Sequence, residues 1–164
     1  MITKTFLSHT PEDYLSWVGP WVSRWNDSYL IGFTGVIGVG KSTLIRALLR
    51  QLGVTGAIKS PTYALVEPYV LLGRTIYHID FYRVMGYDEL SLAGIRDCFD
   101  GVSTCLVEWP ERIEKEMISY DLWVRLEWSG EFRKITIEAL TNKGRECLQN
   151  WPENILENGV FEES

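Results

Sequence analysis

Apolar and polar positions along the chain read as helices alternating with short buried strands. Near the N-terminus, Thr10-Pro11-Glu12-Asp13 has the make-up of a helix start. It offers a capping hydroxyl, proline at the first helical position, then carboxylates facing the positive end of the helix dipole. Gly19-Pro20 is expected to interrupt that helix or end its first half, because proline lacks the amide hydrogen the ladder needs. Trp17, Trp21 and Trp25 recur every four residues, a spacing that predicts a packed aromatic stripe. Residues 28–33 (SYLIGF) form an apolar run of strand length leading into a glycine-rich stretch. From residue 41 to 52 the spacing becomes helical, with Leu44, Ala47, Leu48 and Leu52 on one face and Gly53 suited to a left-handed cap. Residues 63–72 and 75–80 flank Gly73-Arg74 and predict a hairpin. Residues 88–99 predict a helix interrupted at Gly94, and residues 104–108 (TCLVE) another buried strand. A second hairpin is expected from residues 122–128 and 133–140 around Ser129-Gly130, then a short helix over 143–151. The resulting class is α/β, with a mixed, partly parallel central sheet flanked by helices.

Composition narrows the class. A chain of 164 residues suits a single domain, and 46% hydrophobic with 23% charged residues describes a globular rather than a disordered protein. Apolar runs break well before 18 residues, so no membrane span is expected. Residues 1–13 show neither an apolar core nor a small-residue cleavage site, so no secretory signal is expected either. Three cysteines lie far apart without a CxxC pair, which argues against a disulfide framework or structural zinc and for a reducing, cytoplasmic setting. The balance of 16 basic and 22 acidic residues gives a net charge of −6. That argues against independent nucleic-acid binding, which favours a surplus of Lys and Arg.

The glycine-rich stretch carries the chemistry. Gly35, Gly40, Lys41 and Ser42 match G-x-x-x-x-G-K-[ST], between a strand candidate and a helix candidate. Such glycines let successive backbone N–H groups turn toward phosphate oxygens, with Gly38 adding freedom, while the helix dipole lies beneath. Lys41 can reach the β- and γ-phosphates, and the Ser42 hydroxyl can ligate magnesium. The loop therefore predicts a nucleoside triphosphate with Mg2+. A second acidic group at a neighbouring strand end is needed, and both Asp80, closing TIYHID, and Glu108, closing TCLVE, qualify. Asn142-Lys143-Gly144-Arg145 resembles half of a guanine-reading motif but lacks its Asp, which favours ATP over GTP.

Beyond the loop, KSPTYALVEPY (59–69), YHIDFYR (77–83), ELSLAGIRDCFD (89–100) and LVEWPER (106–112) follow in one order. Together they resemble the TsaE (YjeE) family over about residues 29–140, the SPT, HxDxYR and EWP elements being more diagnostic than the loop. The resemblance implies a single-domain P-loop ATPase of bacterial tRNA threonylcarbamoyladenosine synthesis. It implies work with TsaD and TsaB, which transfer a threonylcarbamoyl group to an adenosine beside the anticodon, so that tRNA is met through the complex. It further implies that Gly38, Val39, Gly40, Lys41, Ser42 and Thr43 hold the phosphates and that Ser42 and Glu108 hold magnesium. Asp80 resembles a Walker-B-type carboxylate needed for hydrolysis, and Lys59, Ser60 and Thr62 a switch-like loop near the γ-phosphate. Trp109 is expected to pack near the nucleotide and Arg133 to contact it. His78 reads as structural, sharing a strand face with Ile76 and Asp80.

One position departs from the family pattern. The family loop usually reads G-[DE]-L-G-A-G-K-T, and here Val36 replaces the acidic residue. Backbone cradling of phosphate should survive, whereas hydrolysis by the isolated chain is expected to be slow. Two other functions share the loop. A small-molecule kinase would need an arginine-rich lid, and no such segment stands out; a nucleotide-dependent regulatory module would bind without appreciable hydrolysis.

Overall fold

A computed structural model describes residues 2–149 and Trp151. Among these described residues, seven strands form one sheet: β1 (Thr3–Ser8), β2 (Leu30–Thr34), β3 (Val66–Leu71), β4 (Arg74–Asp80), β5 (Thr104–Glu108), β6 (Leu122–Ser129) and β7 (Phe132–Ala139). Their spatial order is β1-β7-β6-β2-β5-β4-β3. The centre is parallel, with β2 between β5 and β6 and β4 beside β5. Antiparallel pairs β3–β4, β6–β7 and β1–β7 complete the two sides. The helices are α1 (Tyr14–Val22), α2 (Lys41–Leu52), α3 (Tyr87–Leu92) and α4 (Asn142–Gln149). Among the described residues, no helix is long and apolar enough to cross a membrane.

Burial follows the alternation of the strands. β5 is buried along its whole length, as a central strand covered on both faces must be. On one face Ile76 and Leu106 join α1, α2 and the aromatic stripe; on the other Ile79, Cys105 and Val107 pack with Leu90 and Ile95. Trp17, Trp21 and Trp25 are buried, and Trp17 stacks on Phe6 with ring centroids 4.5 Å apart. Left-handed Gly53 (φ 106°) ends α2, and the two-residue turn at Leu72-Gly73 joins β3 to β4.

The structure differs from the sequence reading in three places. β1 was not expected: only Phe6 and Ser8 of its six residues are buried, and the strand is held by pairing with distant β7. Gly19-Pro20 does not break α1, which runs on to Val22. A proline inside a helix costs about 3 kcal/mol. Against this, α1 buries Tyr14, Trp17, Val18, Trp21 and Val22, at about 1.5–3 kcal/mol for a buried apolar side chain. Packing wins. Third, the first hairpin begins pairing at Val66 rather than at residue 63, because a turn over residues 61–64 and a left-handed Leu65 (φ 65°) precede it. The interruption at Gly94 is present, followed by a 3-10 turn at Ile95–Cys98. The last helix spans Asn142–Gln149; of the expected 143–151, Asn150 lies outside the described residues and Trp151 sits in a bend rather than in the helix.

Candidate functional site

The parallel strands β2, β4 and β5 end together, and the loop leaving β2 crosses above them into α2. Its glycines are conformationally required. Gly35 (φ 147°) and Gly40 (φ 111°) occupy left-handed backbone, and a Cβ on Gly35 would collide with the Leu126 carbonyl oxygen. Gly40 immediately precedes α2, so the loop delivers the helix N-terminus into a cleft of about 320 Å3.

Gly38, Gly40, Lys41, Ser42, Thr43, Thr62, Asp80, Glu108 and Trp109 line that cleft, together with Ile37 and Tyr82. Lys41 is 4% exposed, and its Nζ donates to the carbonyls of Gly35 (2.6 Å) and Val36 (3.0 Å). Burial holds its pKa below the ordinary lysine value, opposed by the negative charges of Glu108, Glu111 and Asp80. Nζ lies 3.9 Å from the centre of the Trp109 ring, a cation–π contact. Trp109 has φ 57°, although it is bulky and precedes a proline, a position normally extended. Strain of this kind costs about 1–3 kcal/mol and collects at functional sites. Here it turns the chain directly after Glu108, with the Trp109 amide donating to the Phe33 carbonyl at 3.2 Å.

The two carboxylates face each other in register, Asp80 on β4 opposite Glu108 on β5. Ser42 Oγ donates to Glu108 Oε2 at 2.8 Å, and His78 Nε2 lies 2.8 Å from Glu108 Oε1. Asp80 accepts from the Tyr82 amide (2.8 Å) and from the Thr62 hydroxyl (3.4 Å). Burial raises the Asp80 pKa, and the neighbouring Glu108 charge pushes the same way; the Tyr82 hydrogen bond opposes both. A folded-state carboxyl pKa above its unfolded value means that the folded protein holds the proton longer. Stability from this group is therefore full below the ordinary Asp value and falls as pH rises through the folded value. Asp80→Asn keeps an acceptor for Tyr82 and removes the desolvated charge. At neutral pH the variant is expected to melt a few degrees higher than the wild type, with the difference shrinking in acid, as read from Tm against pH.

The expected residues do not all meet. Gly35 and Val39 form the base of the loop, Val39 fully buried with its amide on the Val36 carbonyl at 3.3 Å. Arg133 lies on the outer side of the loop, where Nε donates to the Val39 carbonyl at 2.9 Å and Nη1 to the His9 carbonyl at 3.3 Å. Its guanidinium also covers Trp128 at 4.4 Å. In this geometry Arg133 braces the loop rather than lining the cleft. Sequence reasoning missed Tyr82, whose ring lies 5.0 Å from that of Trp109, and the contact of His78 with Glu108. YHIDFYR places both side chains near Asp80, Tyr82 two residues beyond it and His78 two before it on the same strand face, but the contact with Glu108 depends on the pairing of β4 with β5. Lys143 is bound elsewhere, to Asp121 and the Ser28 carbonyl, at the end of β2 opposite the loop.

A glycine loop between a central parallel strand and a helix, with carboxylates at the next two strand ends, defines a P-loop NTPase fold. YdiB from Bacillus subtilis, a solved structure, shares the fold with a TM-score of 0.74 and 22% identity, over 92% of this chain and 94% of that one. The chain belongs to the TsaE family: the family model described as "Threonylcarbamoyl adenosine biosynthesis protein TsaE" matches residues 9–135. The tRNA threonylcarbamoyladenosine biosynthesis protein TsaE of Haemophilus influenzae is 40% identical over 119 residues, 73% of this chain and 75% of that protein. The protein of the same name from Treponema pallidum is 30% identical, over 73% of this chain and 88% of its own length.

Proposed function

We propose that this chain is the ATP-binding and ATP-hydrolysing subunit of the tRNA threonylcarbamoyladenosine machinery. In that role it acts with TsaD and TsaB to sustain repeated threonylcarbamoyl transfer to the adenosine beside the anticodon. The observation that carries the reading is the meeting, in one cleft, of the loop and Lys41 with Ser42, Glu108 and Asp80. The residues fit a magnesium-bound triphosphate. A Cβ on Gly38 would meet nothing within 4 Å, so the loop leaves backbone room for phosphate, and Lys41 supplies a cation. The Ser42 hydroxyl and Glu108 carboxylate, 2.8 Å apart, are hard oxygen donors suited to Mg2+. The ion, when bound, neutralises phosphate charge.

The chain's own groups then have separable tasks. Loop amides and the α2 N-terminus hold phosphate oxygens, and Lys41 offsets developing negative charge. Ser42 and Glu108 hold the ion. Asp80, with its raised pKa, is suited to orient a water molecule and take its proton. The net charge of −6 agrees with tRNA contacts being carried by partners.

A regulatory module with negligible hydrolysis is the second reading, favoured by Val36: the side chain is 59% exposed and supplies no acid beside the loop. Steady-state ATP hydrolysis, alone and with TsaD and TsaB, separates the two. Turnover is expected to be slow alone, to rise with the partners, and to rise in the isolated Val36→Asp variant. No hydrolysis even with both partners would favour the regulatory reading; unchanged turnover in Val36→Asp would remove Val36 as the cause of slow hydrolysis.

A further inference from the structure

His78 is 2% exposed and sits in the middle of β4, where an apolar side chain would pack as well. Its direct cross-strand partners are Leu106 on β5 and Glu67 on β3, and Asp80 is the partner of Glu108 on β5. The imidazole therefore reaches diagonally along the shared face, and Nε2 meets Glu108 Oε1 at 2.8 Å. An ionised carboxylate only accepts, so Nε2 carries the hydrogen of this bond. Among the described residues, buried Nδ1 has no hydrogen-bond partner, and the ring's hydrogen bond is the one to Glu108. Glu108 is 3% exposed, and its other oxygen accepts from Ser42 at 2.8 Å. One oxygen is thus fixed from below by the strand, and the other is turned toward the phosphate loop.

We propose that His78 is the positioning residue for Glu108: its Nε2–H holds one carboxylate oxygen so that the other stays directed at Ser42 and the ion these two residues bind. This rests on the magnesium–triphosphate reading of the cleft. A carboxylate on a strand end can rotate about its last torsion, and a ligand that rotates loses ordering free energy each time it binds. Outer partners of this kind fix the orientation of metal ligands, and their loss weakens metal affinity about 10–100-fold. His78 touches neither nucleotide nor reacting atoms in this scheme; it acts through Glu108.

The test compares wild type, His78→Phe and His78→Gln in ATP affinity with Mg2+ and with excess EDTA, alongside Tm. Phe fills the space without a donor, whereas Gln presents an amide N–H at the reach of Nε2. His78→Phe is expected to lose about 10-fold or more of the affinity that Mg2+ adds, while His78→Gln keeps most of it. Wild-type Mg2+ enhancement in His78→Phe would overturn the proposal. So would equal losses in the two variants, since the hydrogen bond would then not be the cause. Absence of any Mg2+ enhancement in the wild type would overturn the underlying nucleotide reading as well, and is visible without the variants. If His78→Phe does not fold, nitrogen-detected NMR of the wild-type imidazole decides. The hydrogen is expected on Nε2, and a bare Nε2 with the hydrogen on Nδ1 would overturn the proposal.

Discussion

Alanine in place of Lys41 is expected to weaken ATP binding about 100-fold or more, with or without Mg2+, a loss of about 2.7 kcal/mol. The side chain is held by two loop carbonyls and the Trp109 ring, and the charges of Glu108, Glu111 and Asp80 act on it, Glu108 and Asp80 from within the cleft. Removing the ammonium leaves two carboxylates facing an incoming polyanion. A hydrogen bond between charged groups contributes about 1.5–3 kcal/mol, so two lost phosphate contacts alone account for the expected drop. Stability should change little, because Gly35 and Val36 are not buried and water can replace the lost donor. Isothermal titration with ATP reads the effect. Wild-type affinity in a folded Lys41→Ala protein would contradict the assignment of the loop.

Glu108→Gln is expected to fail differently. Its size is preserved and one oxygen can still accept from His78, but the charge that, with Ser42, would hold the proposed ion is gone. Turnover should fall about 100- to 1,000-fold, the range seen when one charge-stabilising group is removed from an active site. Affinity for ATP in EDTA should hold, while the increment added by Mg2+ should largely disappear. Comparison with Lys41→Ala is the informative part: one variant loses binding under both conditions, the other only the metal-dependent share. Equal turnover in Glu108→Gln and wild type would remove Glu108 from the site.

Much of this cleft was legible in the sequence because its parts are local. The spacing from Gly35 to Ser42 dictates a turn into a helix, and TIYHID and TCLVE each end a β-prone run on a carboxylate. What the sequence did not show depends on pairing between distant segments. β1 is barely apolar and exists through its register with β7. Arg133 braces the loop because that same edge brings the His9 carbonyl within its reach. The bond from His78 to Glu108 needs β4 and β5 to be parallel neighbours in one particular register, which no local pattern encodes. Pro20 stays inside a helix because five side chains of α1 are buried, a balance of energies that proline alone does not reveal.

In the proposed role, triphosphate chemistry in this cleft drives repeated tRNA modification. The most direct measurement is multiple-turnover formation of threonylcarbamoyladenosine on tRNA by TsaD and TsaB, with ATP and Mg2+, after adding either the wild-type chain or Lys41→Ala. The threonylcarbamoyl donor is supplied ready-made, so that donor synthesis does not limit the reading. Wild type is expected to carry product beyond one equivalent of TsaD, and Lys41→Ala to leave it near one. Equal product with the two chains would contradict the account.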